Sequence, residues 1–215
     1  MHMAGLMREE VPLGEGLATS LAASARGFGV PGVAVALVAP GRKAVWLHGQ
    51  ASAGGAKSVG MDTWFSVASL GKHVTAAAVL DLAQRGRLDL GEPVGRAMAD
   101  LPAAWADRSV LSLLRHTGLL AEYLAYAPDE VVPVDRATFM ARYGALAPAF
   151  AEGAGWMYTN THYILAGMLV SQLGGRSYAD AVQAIFDRAG CPGATVAGPH
   201  WARMANEDAV RAGAR

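Results

Sequence analysis

The chain has 215 residues, of which 53% are hydrophobic and 17% are charged, and its formal net charge is zero. This composition is typical of a globular protein that buries a core, and it excludes an intrinsically disordered chain. The balanced charge and the lack of a basic block argue against nucleic acid as a partner.

Targeting signals are sparse in this sequence. The longest apolar run, residues 33–39, is too short to span a bilayer, and residues 1–16 lack the apolar core of a signal peptide. We therefore expect a cytoplasmic chain as written, and a periplasmic or secreted one if a leader was removed. Cys191 is the only cysteine, so no internal disulfide can form.

The first predicted elements are a helix and a β-hairpin. A helical pattern covers residues 17–26 and stops at Gly27. The apolar run 32–38 predicts a buried strand, residues 39–42 a turn, and residues 43–49 a second strand. The two strands are expected to pair as a hairpin.

Helices are predicted over much of the remaining chain. The apolar stretch 69–85, which stops at Gly86, predicts a central, buried helix. Further helices are predicted over residues 109–115, 136–143, 161–173 and 177–188, the last with a capping-box start. Residues after Gly190 show no further strand pattern.

These elements predict an α+β fold in three segments. Residues 14–58 would supply the N-terminal helix and the hairpin of a sheet domain. Residues 59–190 would form a helical domain, and residues 191–215 an irregular tail. Because only two strands are identifiable, the antiparallel sheet is expected to be incomplete, with an unpaired edge.

The candidate for chemistry is Ser69-Leu70-Gly71-Lys72, at the start of the buried helix. On a helix this spacing places Ser69 and Lys72 on one face, about one turn apart. A serine hydroxyl is a weak nucleophile until a base takes its proton. A poorly solvated lysine can be that base, because burial favours its neutral form. The alternative is a helix N-terminus with Ser69 near the cap and Lys72 solvated.

Three further segments follow the serine segment 64–75 (WFSVASLGKHVT) in a fixed order. They are residues 84–90 (QRGRLDL), 113–119 (LLRHTGL) and 155–167 (GWMYTNTHYILAG). Together they resemble the class C β-lactamase family, which includes penicillin-binding proteins, DD-peptidases and related carboxylesterases. The third segment lacks one serine of the family's pattern. The resemblance implies a β-lactamase/transpeptidase-like fold.

The resemblance also implies roles for four residues. Ser69 would be the acylated nucleophile, and Lys72 its hydrogen-bonded base or proton relay. Tyr158 would pass the proton to the leaving group, and Asn160 would hold Lys72 and the substrate amide, although Asn160 could also cap the helix that begins at Thr161. A phenol and an ammonium have similar reference pKa values, so Tyr158 and Lys72 can share one proton.

The implied function is that of a serine hydrolase that forms an acyl-enzyme with a β-lactam, a peptide or a small ester. This chemistry requires no cofactor and no metal, and the histidines lack metal-ligand spacing. The sequence offers only weak evidence that Glu130 acts as a separate base that activates water. The sequence His116-Thr117-Gly118 mimics the family's third motif, but it lies between the first two motifs and predicts a structural turn.

The family's third motif lies on a sheet strand well beyond Tyr-x-Asn, where it supplies a second oxyanion N–H. No such motif precedes Arg215. Three alternatives follow. The chain is a fragment, or a shortened relative that completes its sheet by self-association, or a truncated, non-catalytic homologue that binds ligands or a partner.

Overall fold

The computed structural model describes residues 7–10, 14–52, 54–126, 136–191, 193–196 and 204–205. The chain divides into two units. The first comprises residues 1–66 together with 197–215, and the second comprises residues 67–196.

Among the residues that the structure describes, the first unit has one helix and five strands. In chain order these are β1 (Met7–Glu10), α1 (Glu15–Gly27), β2 (Gly32–Ala39), β3 (Gly41–Gly49), β4 (Trp64–Phe65) and β5 (Met204–Ala205).

The predicted hairpin is confirmed. Strands β2 and β3 pair antiparallel along their whole length, from Gly32 opposite Gly49 to Ala39 opposite Arg42. The expected burial of β2 is wrong, because most of its residues are exposed, and Val38 keeps 69% of its surface accessible. Among the described strands β2 is the outer one of its sheet, so it has a neighbour on one side only.

The sheet has a third strand that the sequence did not predict. Strand β1 pairs parallel with β3, which gives the order β1-β3-β2. Its four residues, MREE, carry three charges and show no apolar alternation, so the sequence offered no signal for it. The edge of β3 is therefore covered, and the self-association expected at an open edge stays a prediction.

A separate two-residue pair joins β4 to β5, with Trp64 opposite Met204 in parallel register. The sequence after Gly190 predicts an irregular tail, so the strand β5 was not predicted. Two residues are too few to produce a period that a sequence pattern can reveal.

The second unit is helical. Its helices are α2 (Gly71–Gln84), α3 (Ala103–Ala106), α4 (Val110–Arg115), α5 (Arg136–Tyr143), α6 (Asn160–Gly174) and α7 (Tyr178–Arg188). Short 3-10 turns cover Ala68–Leu70, Val94–Arg96 and Tyr123–Ala125. All helices predicted from the sequence are present, whereas α3, a single turn after Pro102, was not predicted.

The core of this unit lies where α2, α4, α6 and α7 meet. Val79 of α2 and Leu165 and Leu169 of α6 have no accessible surface. Helix α2 is less buried than predicted, since it buries one face and leaves Leu80 48% exposed. The Thr75 hydroxyl and the Tyr178 hydroxyl lie 2.7 Å apart, which ties α2 to the first residue of α7.

The start of α7 confirms the predicted helix start at Ser177, which is the N-cap. The Ser177 hydroxyl accepts a hydrogen bond from the Asp180 backbone N–H at 3.1 Å and donates one to its carboxylate. In the described ranges, no helix is both long enough and apolar enough to cross a bilayer.

Candidate active site

Ser69 lies in the 3-10 turn Ala68–Leu70, which runs directly into α2. Lys72 follows within the first turn of the helix, and its Nζ lies 3.0 Å from the Ser69 Oγ. The contact expected from the spacing is therefore present. Ser69 is exposed and Lys72 is half-buried, so the lysine is less desolvated than the sequence predicted.

Ala68, the residue before Ser69, has a φ of +44°. A non-glycine residue pays roughly 1–2 kcal/mol to hold a left-handed conformation, and such strain is found at functional sites. Ala68 thus holds this conformation immediately before the candidate nucleophile.

Tyr158 reaches the same hydroxyl from the segment that precedes α6. Its phenol OH donates to Ser69 Oγ at 2.7 Å, and Lys72 Nζ lies 4.8 Å from the centre of its ring. Hydroxyl protons rotate to suit their partners, so the same oxygen–oxygen contact serves proton transfer in either direction. Ser69, Lys72 and Tyr158 thus meet at one point, as the resemblance implied.

Asn160 completes this group from the first position of α6. Its Oδ1 accepts a hydrogen bond from Lys72 Nζ at 2.7 Å. The alternative in which Asn160 caps the helix is wrong, because Thr159 occupies the N-cap position and the Asn160 side chain points to Lys72 instead.

Glu122 is a site residue that sequence reasoning missed. Its Oε2 accepts hydrogen bonds from the Asn160 backbone N–H at 2.5 Å and from Asn160 Nδ2 at 3.2 Å, and its Oε1 accepts from the Leu124 N–H at 3.1 Å. These bonds leave the Asn160 Oδ1 facing Lys72. The contact joins residues 38 positions apart, so no local sequence pattern predicts it.

A cavity of about 570 Å³ opens beside the Ser69 hydroxyl. Its walls are largely apolar and carry the three polar side chains at one point. It is lined by Val67, Ala68, Ser69, Leu70, Lys72, His73, Ala76, His116, Tyr158 and Tyr163. The volume falls in the range typical of small-molecule sites.

Residues 20–206 match the family model described as Beta-lactamase. The chain belongs to the β-lactamase family.

Two curated relatives have different activities in their names. The chain is 31% identical to Penicillin-binding protein 4* of Bacillus subtilis over 133 residues, which is 59% of this chain and 29% of that protein. It is 32% identical to Esterase EstB of Burkholderia gladioli over 141 residues, covering 58% of this chain and 36% of that protein. The chain therefore spans less than half the length of these relatives.

Solved structures give the same fold. A class C β-lactamase matches 83% of this chain and 51% of its own, with 25% identity and a TM-score of 0.71. D-amino acid amidase from Ochrobactrum anthropi matches 81% of this chain and 49% of its own, with 28% identity and a TM-score of 0.71. The fold of this β-lactamase-family protein is the class C β-lactamase/transpeptidase fold, of the α+β class.

The electrostatics of this family member distinguish two neighbouring phenols. Burial acts to raise the pKa of Tyr158, but contact with Lys72 and Ser69 outweighs it, so the pKa lies below its ordinary value of 10.0. Burial and the nearby Tyr158 raise the pKa of Tyr163 instead. The phenolate is therefore easier to form at Tyr158, the phenol that touches Ser69, than at Tyr163.

His116 and His162 lie next to each other, beside Tyr158. The predicted turn at His116 is confirmed, since it ends α4 with a φ of +60°, but its ring also lies 4.6 Å from that of Tyr158. His162 has no accessible surface. Burial, together with the nearby His116 and Arg108, lowers the pKa of His162 to about 4.

This low pKa predicts a stability that depends on pH. Between pH 6.5 and about 4 an unfolded chain protonates His162 while the folded protein keeps it neutral. The free energy of unfolding should therefore fall as the pH drops through this window, by on the order of 3 kcal/mol. Urea titrations at pH 7 and pH 4.5 measure the loss, and His162→Gln should lose less. Equal losses in both proteins would remove His162 as the cause.

Proposed function

We propose that this β-lactamase-family protein is a serine hydrolase that works through an acyl-enzyme on Ser69. One observation carries the proposal. The Ser69 Oγ contacts both the Tyr158 hydroxyl at 2.7 Å and the Lys72 Nζ at 3.0 Å. A serine that contacts a phenol able to accept its proton as the phenolate, next to an amine whose charge favours that phenolate, is arranged for nucleophilic attack.

The reaction follows from these contacts. Tyr158, in the phenolate form that Lys72 favours, takes the Ser69 proton as Oγ forms a bond to the substrate carbonyl carbon. The bond from that carbon to the leaving group then breaks, and the proton passes through Tyr158 to the leaving group. Water attacks the acyl-enzyme in the reverse sense, which releases the acid and restores the Ser69 hydroxyl.

Developing charge on the carbonyl oxygen needs hydrogen-bond donors. Backbone N–H groups at the start of a helix lack intrahelical partners and carry the positive end of the helix dipole. Ser69 lies in the 3-10 turn that leads into α2, so its own backbone N–H is the candidate donor to the oxyanion.

The relatives support a small acyl compound as the substrate. Their names span β-lactamase, esterase and D-amino acid amidase, which differ in the leaving group and share an acyl carbonyl. The apolar wall of the cavity beside Ser69 suits such molecules. We propose a β-lactam, an amide or peptide of a D-amino acid, or a small ester.

The experiment compares the wild-type chain with Ser69→Ala against three reagents: a fluorescent penicillin, p-nitrophenyl acetate and D-phenylalanine amide. We expect covalent labelling or hydrolysis with at least one reagent, and none in Ser69→Ala. Unchanged reaction in Ser69→Ala would contradict the proposal. A folded wild-type sample that reacts with none would favour a non-catalytic binding protein of the same fold.

Glu122→Gln is expected to slow acylation about tenfold. Glutamine has one acceptor oxygen, so either Asn160 or Leu124 would then face an N–H donor, and the Asn160 amide would lose its fixed orientation toward Lys72. The rate of fluorescent-penicillin labelling measures the effect. Glu92→Gln, which breaks an exposed ion pair, is the matched control. Equal rates in the two variants would show that the Glu122 carboxylate does not orient the site.

A further inference from the structure

Building on the proposed function, we propose that His116 is the positioning residue of Tyr158, and that His162 holds His116 in the tautomer that this task requires. Neither histidine contacts Ser69 in the described hydrogen bonds. Both act through the phenol.

His116 holds the chain on both sides of Tyr158. Its carbonyl oxygen accepts a hydrogen bond from the Met157 N–H at 3.0 Å, and its Nδ1 accepts one from the Thr159 N–H at 3.4 Å. Its ring lies against the Tyr158 ring, with centres 4.6 Å apart and planes 33° from parallel. The phenol is therefore fixed through the residue before it, the residue after it and its own face.

The tautomers of His162 and His116 follow from the hydrogen bond that the Leu120 backbone N–H donates. The Leu120 N–H can only donate, and it lies 3.2 Å from the Nε2 of His162, so that nitrogen carries no proton. The proton of neutral His162 is then on Nδ1, which faces the Nδ1 of His116 at 3.2 Å. The Nδ1 of His116 must accept and is therefore unprotonated, and its one lone pair is shared between the His162 N–H at 3.2 Å and the Thr159 N–H at 3.4 Å.

Gly118 makes room for this arrangement. A Cβ at this position would lie 3.1 Å from the His162 Nε2 and 3.1 Å from the Ser112 Oγ. Such contacts are tighter than most side chains accept, so a larger residue would push the imidazole away from Leu120. The turn His116-Thr117-Gly118 is thus built around the second histidine.

The charged and titratable groups around the pair set its neutral state. Lys72 on α2 disfavours a proton on His116, whereas Glu122, before the 3-10 turn, favours one, and burial has the largest effect and also disfavours it. Arg108 disfavours a proton on His162. Tyr158, Tyr163 and Trp156 also contact the His116 ring. A proton on the His116 Nδ1 or on the His162 Nε2 would break the chain of bonds.

The first test is independent of any enzymatic activity. Long-range proton–nitrogen spectra of histidine-labelled protein distinguish protonated from bare ring nitrogens. We expect His162 protonated on Nδ1 and bare on Nε2, and His116 bare on Nδ1. Spectra of the His162→Gln and His116→Asn variants assign the ring-nitrogen signals to each histidine. A His162 ring protonated on Nε2 at pH 7 would overturn the proposal.

The second test compares His116→Asn with His116→Gly. Both residues tolerate the left-handed backbone, but only asparagine keeps an acceptor near the Nδ1 position. We expect His116→Gly to lower the maximal acylation rate about tenfold or more. The concentration of fluorescent penicillin that gives the half-maximal rate should change little. We expect His116→Asn to keep most of the wild-type maximal rate. Circular dichroism and urea unfolding check that both variants fold.

The same variants are titrated by tyrosinate absorbance, each against its own Tyr158→Phe partner. Glycine should raise the pKa of Tyr158, because the phenol is no longer held against Lys72 and Ser69, and asparagine should not. If the wild-type protein is never acylated, the proposed function fails while this titration and the ring spectra still decide the positioning role. Identical Tyr158 titrations in the wild type and the glycine variant would overturn it.

Discussion

Replacing Lys72 with alanine is expected to lower the acylation rate of Ser69 by about 10³-fold while the fold persists. Lys72 touches the Ser69 Oγ at 3.0 Å and the Asn160 Oδ1 at 2.7 Å, and its charge lowers the pKa of Tyr158. The variant loses the amine of the pair, and the pKa of Tyr158 rises, so less of Tyr158 is in the phenolate form. Both effects slow the same step.

The rate is measured as time-dependent labelling by a fluorescent penicillin, with urea unfolding as the check on folding. Lys57→Ala is the matched control, because the Lys57 side chain is 70% exposed and makes one surface ion pair with Asp62. We expect wild-type labelling in this control. Normal acylation in Lys72→Ala would remove Lys72 from the mechanism.

Tyr158→Phe is expected to slow acylation by about 10²-fold or more. The phenylalanine ring keeps the face contact with His116 and loses only the oxygen that touches Ser69. In the wild type the rate should rise with pH toward the pKa of Tyr158, which lies below 10.0, because the phenolate is the base. The variant should lose this rise.

Tyr126→Phe controls for the loss of a phenol, since Tyr126 is 64% exposed and lies outside the cavity. Rates are followed from pH 6 to pH 9.5 in all three proteins. A Tyr158→Phe variant that keeps both the rate and its pH dependence would assign the proton transfer to Lys72 alone.

Local features of this chain were readable from the sequence. The three-residue spacing placed Ser69 beside Lys72, and the Ser177-Asp180 pair located the start of α7, because both depend on contacts within one helical turn. Tyr158 and Asn160 lie about 90 residues from their partners. They were found through the family resemblance, since no spacing rule reaches that far.

The features that were missed depend on tertiary contacts. Glu122 and His116 join the site through contacts across 38 or more residues. No local sequence pattern indicates a role in the site for either residue. The strand β1 lacks apolar alternation and gains its place by pairing with β3. The left-handed backbone of Ala68 is imposed by its surroundings, because alanine itself disfavours that conformation.

The site of covalent modification tests the central claim most directly. The chain is treated with a fluorophosphonate, its intact mass is measured, and the labelled peptide is sequenced by mass spectrometry. We predict one adduct per chain on the hydroxyl of Ser69, absent from Ser69→Ala and slowed in Lys72→Ala and Tyr158→Phe. An adduct on another residue, or one that persists in Ser69→Ala, would contradict the assignment of Ser69 as the nucleophile.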